Sequence, residues 1–198
     1  LLAMLGMLVV AISGFNRIDA GVGSLYDDRV VPLQQLKQIS DYYAVNIIDA
    51  VNKADHGLFS RDQAQGEINT AQSEIARLWQ AYIATRLTPR ESQLAEQARS
   101  QFSTANAELQ RLNAFLQGAP SNLKGQLGTF NGPLYQSIDP ISGSIGELIQ
   151  LQLDEAKLAR ETATEVYHGV RNLMLGVALL IIAISLLGGR WVAGSISQ

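Results

Sequence analysis

Residues 94–116 read LAEQARSQFSTANAELQRLNAFL. Within them Leu94, Ala98, Phe102, Ala105, Leu109, Leu112 and Leu116 follow one another at intervals of four and three, with polar residues between. Such spacing lays one apolar stripe along a helix of period 3.6. Upstream the pattern occurs twice more. Leu36, Ile39, Tyr43, Ile47, Ala50 and Ala54 form one stripe, and Ala64, Ile68, Ala71, Ile75, Leu78 and Tyr82 another. No comparable stretch alternates apolar and polar residues, so no sheet is predicted.

The stops between stripes are chemical. Asp55-His56-Gly57 ends the first helix, with Gly57 free to take the left-handed cap conformation, and Ser60 caps the second. The second helix is predicted to end near Arg86-Leu87. Thr88-Pro89-Arg90-Glu91 then forms a capping box: Thr88 at N-cap, Pro89 in the first turn, Glu91 reaching back. Gly118-Ala119-Pro120 closes the third helix, a loop or short helix covers Ser121–Gly132, and a fourth helix starts around Pro133-Leu134. Pro32 and Pro140 each remove a backbone donor, which bends a helix or marks its start. Gly21 and Gly23 weaken the stretch before Pro32 and predict a kink there.

Four long helices with short connections predict an all-α fold, an antiparallel up-down-up-down four-helix bundle. Helices of roughly 30 residues are about 45 Å long, so the bundle is a rod. Leu1–Gly14 and Leu173–Gly189 carry no charge. The second stretch reads as a membrane span, edged by Arg190 and Trp191 as interfacial anchors. The first is short for a span, at the length of a signal-peptide core. With no A-x-A site to close it and a second apolar segment downstream, it is read as a truncated span. The expected fold is therefore a bundle continuous with two transmembrane helices, with the Asp55–Phe59 and Gly118–Gly132 loops at its distal tip and the Leu87 turn near the membrane.

The net charge of −3 is too mild to argue for nucleic acid. There is no Cys, and the two His, His56 and His168, are far apart. No nucleophile–base set, phosphate loop or metal-ligand spacing is present, so neither enzymatic activity nor a cofactor or metal is expected. Asp27 and Asp28 are adjacent and leave the helix at different angles, so they are not an acid/base pair. Arg29 is expected to pair with one of them or to cap interfacial charge. Trp79 and Tyr82 read as packing or interfacial aromatics, His56 as a loop residue and His168 as a surface residue.

Leu25-Tyr26-Asp27-Asp28-Arg29-Val30-Val31-Pro32-Leu33 and Tyr43-Ala44-Val45-Asn46-Ile47-Ile48-Asp49-Ala50 resemble the bacterial methyl-accepting chemotaxis receptors with a four-helix-bundle sensor domain. Leu78-Trp79-Gln80-Ala81-Tyr82, Thr88-Pro89-Arg90-Glu91 and Asp139-Pro140-Ile141 support the likeness, which covers nearly the whole chain. Arg190 through Ser195-Ile196-Ser197-Gln198 resembles the start of a HAMP linker. The resemblance implies a truncated transmembrane helix over residues 1–15 and a periplasmic ligand-binding bundle over 16–171. A second transmembrane helix over 172–191 and the start of a HAMP-like linker over 192–198 complete the division. It also implies a homodimer in the bacterial inner membrane. The periplasmic domain would bind a small molecule, directly or through a binding protein. A cytoplasmic signalling domain, absent here, would act on a histidine kinase and a coupling protein. The same sensor type occurs on histidine kinases and cyclic-dinucleotide enzymes, and a membrane-tethered bundle without ligand is the remaining alternative.

In the aspartate receptors of this type, ligand sits near the distal tip, between the first helices of both protomers and the start of the fourth. Carried onto this chain by position, that points to Tyr42, Asn46, Asp49, Asn52 and Lys53, with Tyr135, Gln136 and Asp139. Tyr42, Asn46, Asp49 and Lys53, spaced four, three and four, form a polar face beside the apolar stripe. Such a face is either solvated or the wet seam of a dimer. Asn52 and Lys53 suit a carboxylate, and Tyr42 or Tyr135 an aromatic ring or a phenol hydrogen bond. The arginine cluster of the aspartate receptors is missing, since the first helix has no arginine beyond Arg29, and lysine does not replace planar bidentate recognition. A small organic acid or an aromatic acid is expected in place of aspartate. Ser142-Gly143-Ser144-Ile145-Gly146 reads either as close packing of the fourth helix or as room for a ligand.

Overall fold

The computed structural model describes the backbone of residues 2–196 and the side chains of residue 6, residues 8–188 and residue 190. Everything described is helix, turn or loop, with four long helices in succession. The first is built from α1 (Leu2–Leu25), a π-helical turn (Tyr26–Val30), α2 (Val31–Asp41), a second π-helical turn (Tyr42–Ile47) and α3 (Ile48–Asp55). Then come α4 (Arg61–Ile83), α5 (Pro89–Gly118) and α6 (Gly128–Ile196). The chain divides into two compact units, Leu1–Tyr26 with Ala156–Gln198, and Asp27–Glu155.

Within Asp27–Glu155 the stripes read from the sequence face one another. Leu36, Ile39, Ile47, Ile68, Leu109, Leu112 and Leu116 are all fully buried. Leu134, Ile138, Ile141, Ile145 and Leu148 supply the stripe of the fourth helix. At about 25 cal/mol per Å² of apolar surface removed from water, each such side chain contributes roughly 1.5–3 kcal/mol.

Both capping boxes form. The Ser60 hydroxyl accepts from Gln63 N–H at 3.3 Å and the Gln63 side chain accepts from Ser60 N–H at 2.9 Å. Thr88 Oγ1 accepts from Glu91 N–H at 3.2 Å, and Glu91 Oε2 accepts from Thr88 N–H at 2.5 Å. Gly57 takes φ +76°, and its N–H bonds back to the Ala54 carbonyl at 2.9 Å. At that end the chain closes on itself. Asp55 accepts from Leu127 N–H through its carboxylate (2.7 Å) and from Gly125 N–H through its carbonyl (2.8 Å). Arg61 donates from its backbone to the Ser121 carbonyl and from its guanidinium to the Ala119 carbonyl.

Three local expectations are corrected. The second helix ends at Ile83, ahead of Arg86-Leu87, because Thr85 turns its N–H and its hydroxyl onto the Tyr82 carbonyl (3.1 and 2.7 Å) and ends the ladder there. The fourth helix starts at Gly128, ahead of Pro133-Leu134. Pro133 and Pro140 lie inside it, each leaving one carbonyl of the preceding turn without its usual donor. α1 passes through Gly21 and Gly23 without a break, and the irregularity falls at Tyr26–Val30, directly before Pro32. A widened turn there relieves the clash between the proline ring and the carbonyl one turn back.

In the other unit, Gly14 is buried. A Cβ at that position would come within 2.9 Å of Val170 Cγ1, so glycine permits the close approach of α1 to the later part of α6. Among the described residues one helix is long and apolar enough to cross a membrane. Gly128–Gly188 contains an 18-residue window of mean hydropathy 2.3, with none of it buried. Leu179, Ile184 and Leu187 are each more than half exposed there. The side chain of Trp191 lies outside the described residues, as do the side chains of Ser195 and Ile196 and the whole of Ser197 and Gln198, so the anchor and HAMP-start expectations are not addressed.

Candidate functional site

The polar face of the first helix lies on α3 and on the π-helical turn that precedes it. Asn46 and Asp49 are exposed, while Tyr42, Asn52 and Lys53 are half-buried. Tyr42 packs its ring against the hydrophobic core. Lys53 Nζ lies 2.6 Å from Asp49 Oδ2, one helical turn away, and 5.1 Å from the centroid of the Phe59 ring. On α6, Tyr135, Gln136 and Asp139 are exposed. Asn52 Nδ2 donates to the Tyr135 hydroxyl at 3.4 Å. One residue from each half of the expected site thus meets directly. Asn46, Gln136 and Asp139 make no side-chain hydrogen bond among the described residues.

The electrostatics of this face are specific. Its one cation, Lys53, is matched by Asp49, and Asp139 adds a second carboxylate. An incoming acid must therefore draw Lys53 away from Asp49. Exposed helix pairs of this kind are worth about 0.3–0.5 kcal/mol, so the exchange is easy.

The Ser142–Gly146 segment has a two-faced structure. Ser144 and Ile145 are buried, and Ser144 Oγ accepts from Gln97 Nε2 at 3.3 Å. Gly143 and Gly146 face away from the core, and a Cβ at either would meet no atom within 4 Å. Close helix packing inside the chain does not explain these glycines.

At the opposite end of the bundle lies a polar cluster that the sequence reading did not foresee. Glu91 is fully buried. Its Oε1 accepts from Arg29 Nη1 at 3.3 Å and from Gln152 Nε2, while its Oε2 completes the capping box. Arg29 Nη1 also lies 3.3 Å from Gln152 Oε1, and Nη2 lies 3.9 Å from Glu155. Arg29 therefore pairs with Glu91 and Glu155, correcting the expectation of Asp27 or Asp28. The Tyr82 phenol beside this cluster is pushed up to about 12, by burial first and then by the Glu91 charge, with Gln152 and Arg29 acting in the other sense. Trp79 and Tyr82 are both buried, as packing aromatics. His56 is exposed, its Nδ1 2.7 Å from the Asn52 carbonyl, and His168 is exposed beside the Tyr167 ring.

A signal for the cluster was present. Glu91 continues the stripe Leu94, Ala98, Phe102 three residues upstream, and Gln152 continues Ile141, Ile145, Leu148 four residues downstream. A polar residue in register with an apolar stripe is a candidate for burial with a partner.

Comparison with known proteins gives a family. Residues 1–167 match the model described as a four helix bundle sensory module for signal transduction. The methyl-accepting chemotaxis protein NahY of Pseudomonas putida is 34% identical over 189 residues, which cover 93% of this chain and 34% of that protein. The chain thus spans about a third of that relative's length. No solved structure matches the chain significantly. With four apolar stripes closed into one helical core and the family model matched over residues 1–167, this chain belongs to the four-helix-bundle sensory modules of chemotaxis receptor signal transduction.

Proposed function

We propose that the chain is the sensor part of a homodimeric receptor in a bacterial inner membrane, with its bundle in the periplasm. A small organic or aromatic acid binds at the dimer seam formed by Tyr42, Asn46, Asp49, Asn52 and Lys53 with Tyr135, Gln136 and Asp139. Binding biases the position of α6. Because α6 also carries the apolar stretch Leu173–Gly189, a shift of about 1–2 Å along it would reach a cytoplasmic signalling domain. That domain would act on a histidine kinase and a coupling protein. The ligand must bind the shifted arrangement better than the unshifted one, or no signal results.

The Asn52–Tyr135 hydrogen bond carries this proposal, since it joins the two halves of the seam across two helices at 3.4 Å. The open Cβ positions at Gly143 and Gly146 add to it: an outward face without side chains lets a second protomer approach α6 closely. Exposed aromatic and carboxamide groups beside a lysine give donors for a carboxylate and a phenol for its ring or hydroxyl.

Calorimetric titration of the full chain in detergent tests it, with benzoate, malate and citrate set against aspartate. One of the three acids is expected to bind, and Tyr135→Ala to weaken it at least tenfold. Tight aspartate binding, or acid binding indifferent to both Tyr135→Ala and Lys53→Ala, would refute the proposal.

A further inference from the structure

Between α4 and α5, inside the Asp27–Glu155 unit, runs a groove of about 580 Å³. Small-molecule sites fall within roughly 300–1,000 Å³. Aromatic residues make its floor. Tyr43 stacks on Phe102 with ring centroids 5.4 Å apart and an interplanar angle of 23°, and Trp79 meets the same Phe102 edge-on at 4.8 Å. Carboxamides make its rim, from Gln72 on one helix and from Asn106 and Gln110 on the other.

Two features point to a ligand. Tyr43 is 1% exposed, and its hydroxyl finds no hydrogen-bond partner among the described residues. Burial holds that phenol well above its ordinary range, so it stays a neutral donor. An unpaired buried donor costs stability, and native structures retain such a group where a role or a bound molecule accounts for it. The second feature is charge. Of the described residues lining the groove only Arg99 is ionic, and it is held by Glu96 at 2.6 Å. An anion must compete with Glu96, and a cation meets no carboxylate in the lining.

We infer that this groove is a second small-molecule site, distinct from the Tyr42–Lys53 face, for an uncharged planar aromatic carboxamide. The ring would lie along the Trp79 and Phe102 edges and its amide would exchange hydrogen bonds with the rim carboxamides, while its carbonyl would reach the Tyr43 hydroxyl, which is closed off in the unliganded groove, by parting the side chains over it. Tyr43 sits in the π-helical turn Tyr42–Ile47, the segment that also carries Tyr42 and Asn46 of the outer face. Occupancy of the groove therefore acts on the backbone that positions the seam.

Trp79 supplies the reporter. The chain has two tryptophans, so Trp191→Phe in a 5-fluorotryptophan-labelled full chain in detergent leaves a single ¹⁹F line from the groove. Nicotinamide and benzamide are the probes, and cyclohexanecarboxamide is the non-planar control. A saturable shift of the line is expected with at least one aromatic amide and none with the control. Tyr43→Phe should weaken it roughly fivefold to tenfold. Ala107→Trp, which fills the groove from an exposed position, should abolish it, and Tyr135→Phe should leave it unchanged. Absence of any saturable shift with both amides overturns the inference, as does a shift that survives Ala107→Trp. Loss of the shift in Tyr135→Phe would move the binding to the seam and overturn it equally.

Discussion

Replacing Glu91 by alanine should be among the most damaging single changes in the bundle, and the structure sets its size. The carboxylate is fully buried and accepts from three groups: Thr88 N–H, Arg29 and Gln152. Loss of the capping reciprocation alone costs about 1 kcal/mol. Stranding a buried charge costs roughly 3–5 kcal/mol. Arg29 keeps 17% of its side chain exposed and Glu155 at 3.9 Å, so the lower end applies. The expected total is about 3–4 kcal/mol, or a fall in Tm of roughly 10 °C for a chain of this size. Thermal and urea unfolding of the full chain, followed by circular dichroism at 222 nm, measures it. The paired change Arg29→Met with Glu91→Leu removes both charges and should recover most of the loss, because apolar pairs often replace buried ion pairs at little net cost. A loss below about 1 kcal/mol for Glu91→Ala, or a pair no better than the single variant, would refute the account of a buried ion pair whose members need each other.

Other outcomes follow from the same contacts. Tyr82 has a folded value of about 12 against an ordinary 10.0, so its contribution is intact below pH 10 and is lost as pH rises towards 12; a wild-type minus Tyr82→Phe titration at 295 nm should show that late phenolate, and ionisation near pH 10 would contradict it. In the monomer, at a concentration below dimerisation, Gly143→Ala should raise stability by about 1 kcal/mol, since its Cβ meets nothing within 4 Å in the chain and helix propensity improves; a drop in the monomer's Tm would show that the position packs within the chain after all. Gly143→Leu should keep the monomer fold while weakening the dimer in sedimentation, and an undisturbed dimer would place the seam elsewhere. Two glycines inserted after Gly169 should leave ligand affinity unchanged and abolish signalling in a receptor carrying this module; intact signalling would exclude transmission through a rigid α6.

Most of the fold was legible because it rests on periodicity and caps. The stripe from Leu94 to Leu116 is buried as spaced, and Ser60, Thr88 and Gly57 hold their turns by local chemistry that a few residues specify. What stayed hidden was set by distant partners. Arg29 lies 62 residues from Glu91 and 123 from Gln152, so nothing beside it announces the pairing. Pro133 suggests a beginning for α6, whereas the helix starts earlier, at Gly128, where Asp55 accepts from Leu127 N–H across the bundle end. The outer face was proposed by position from the resemblance, and the structure adds one link within it, Asn52 to Tyr135. The groove under Tyr43 left no trace in the stripe pattern, since Tyr43 and Phe102 read there as ordinary core and Trp79 as a packing or interfacial aromatic.

The π-helical turn at Tyr42–Ile47 also bears on how this segment tolerates changes in length. Such a turn accommodates one residue more than an α-helical turn between the same flanking helices. Deleting a single exposed residue there, such as Ala44, converts it to α-helix while α2 and α3 keep their faces. In the α-helical stretches of the bundle, loss of one residue would rotate every following side chain by a residue's worth of turn and pull apolar stripe positions out of the core. The first helix thus holds a slot for a single-residue deletion beside both the outer face and the groove, where a change of length alters local shape without unwinding the bundle.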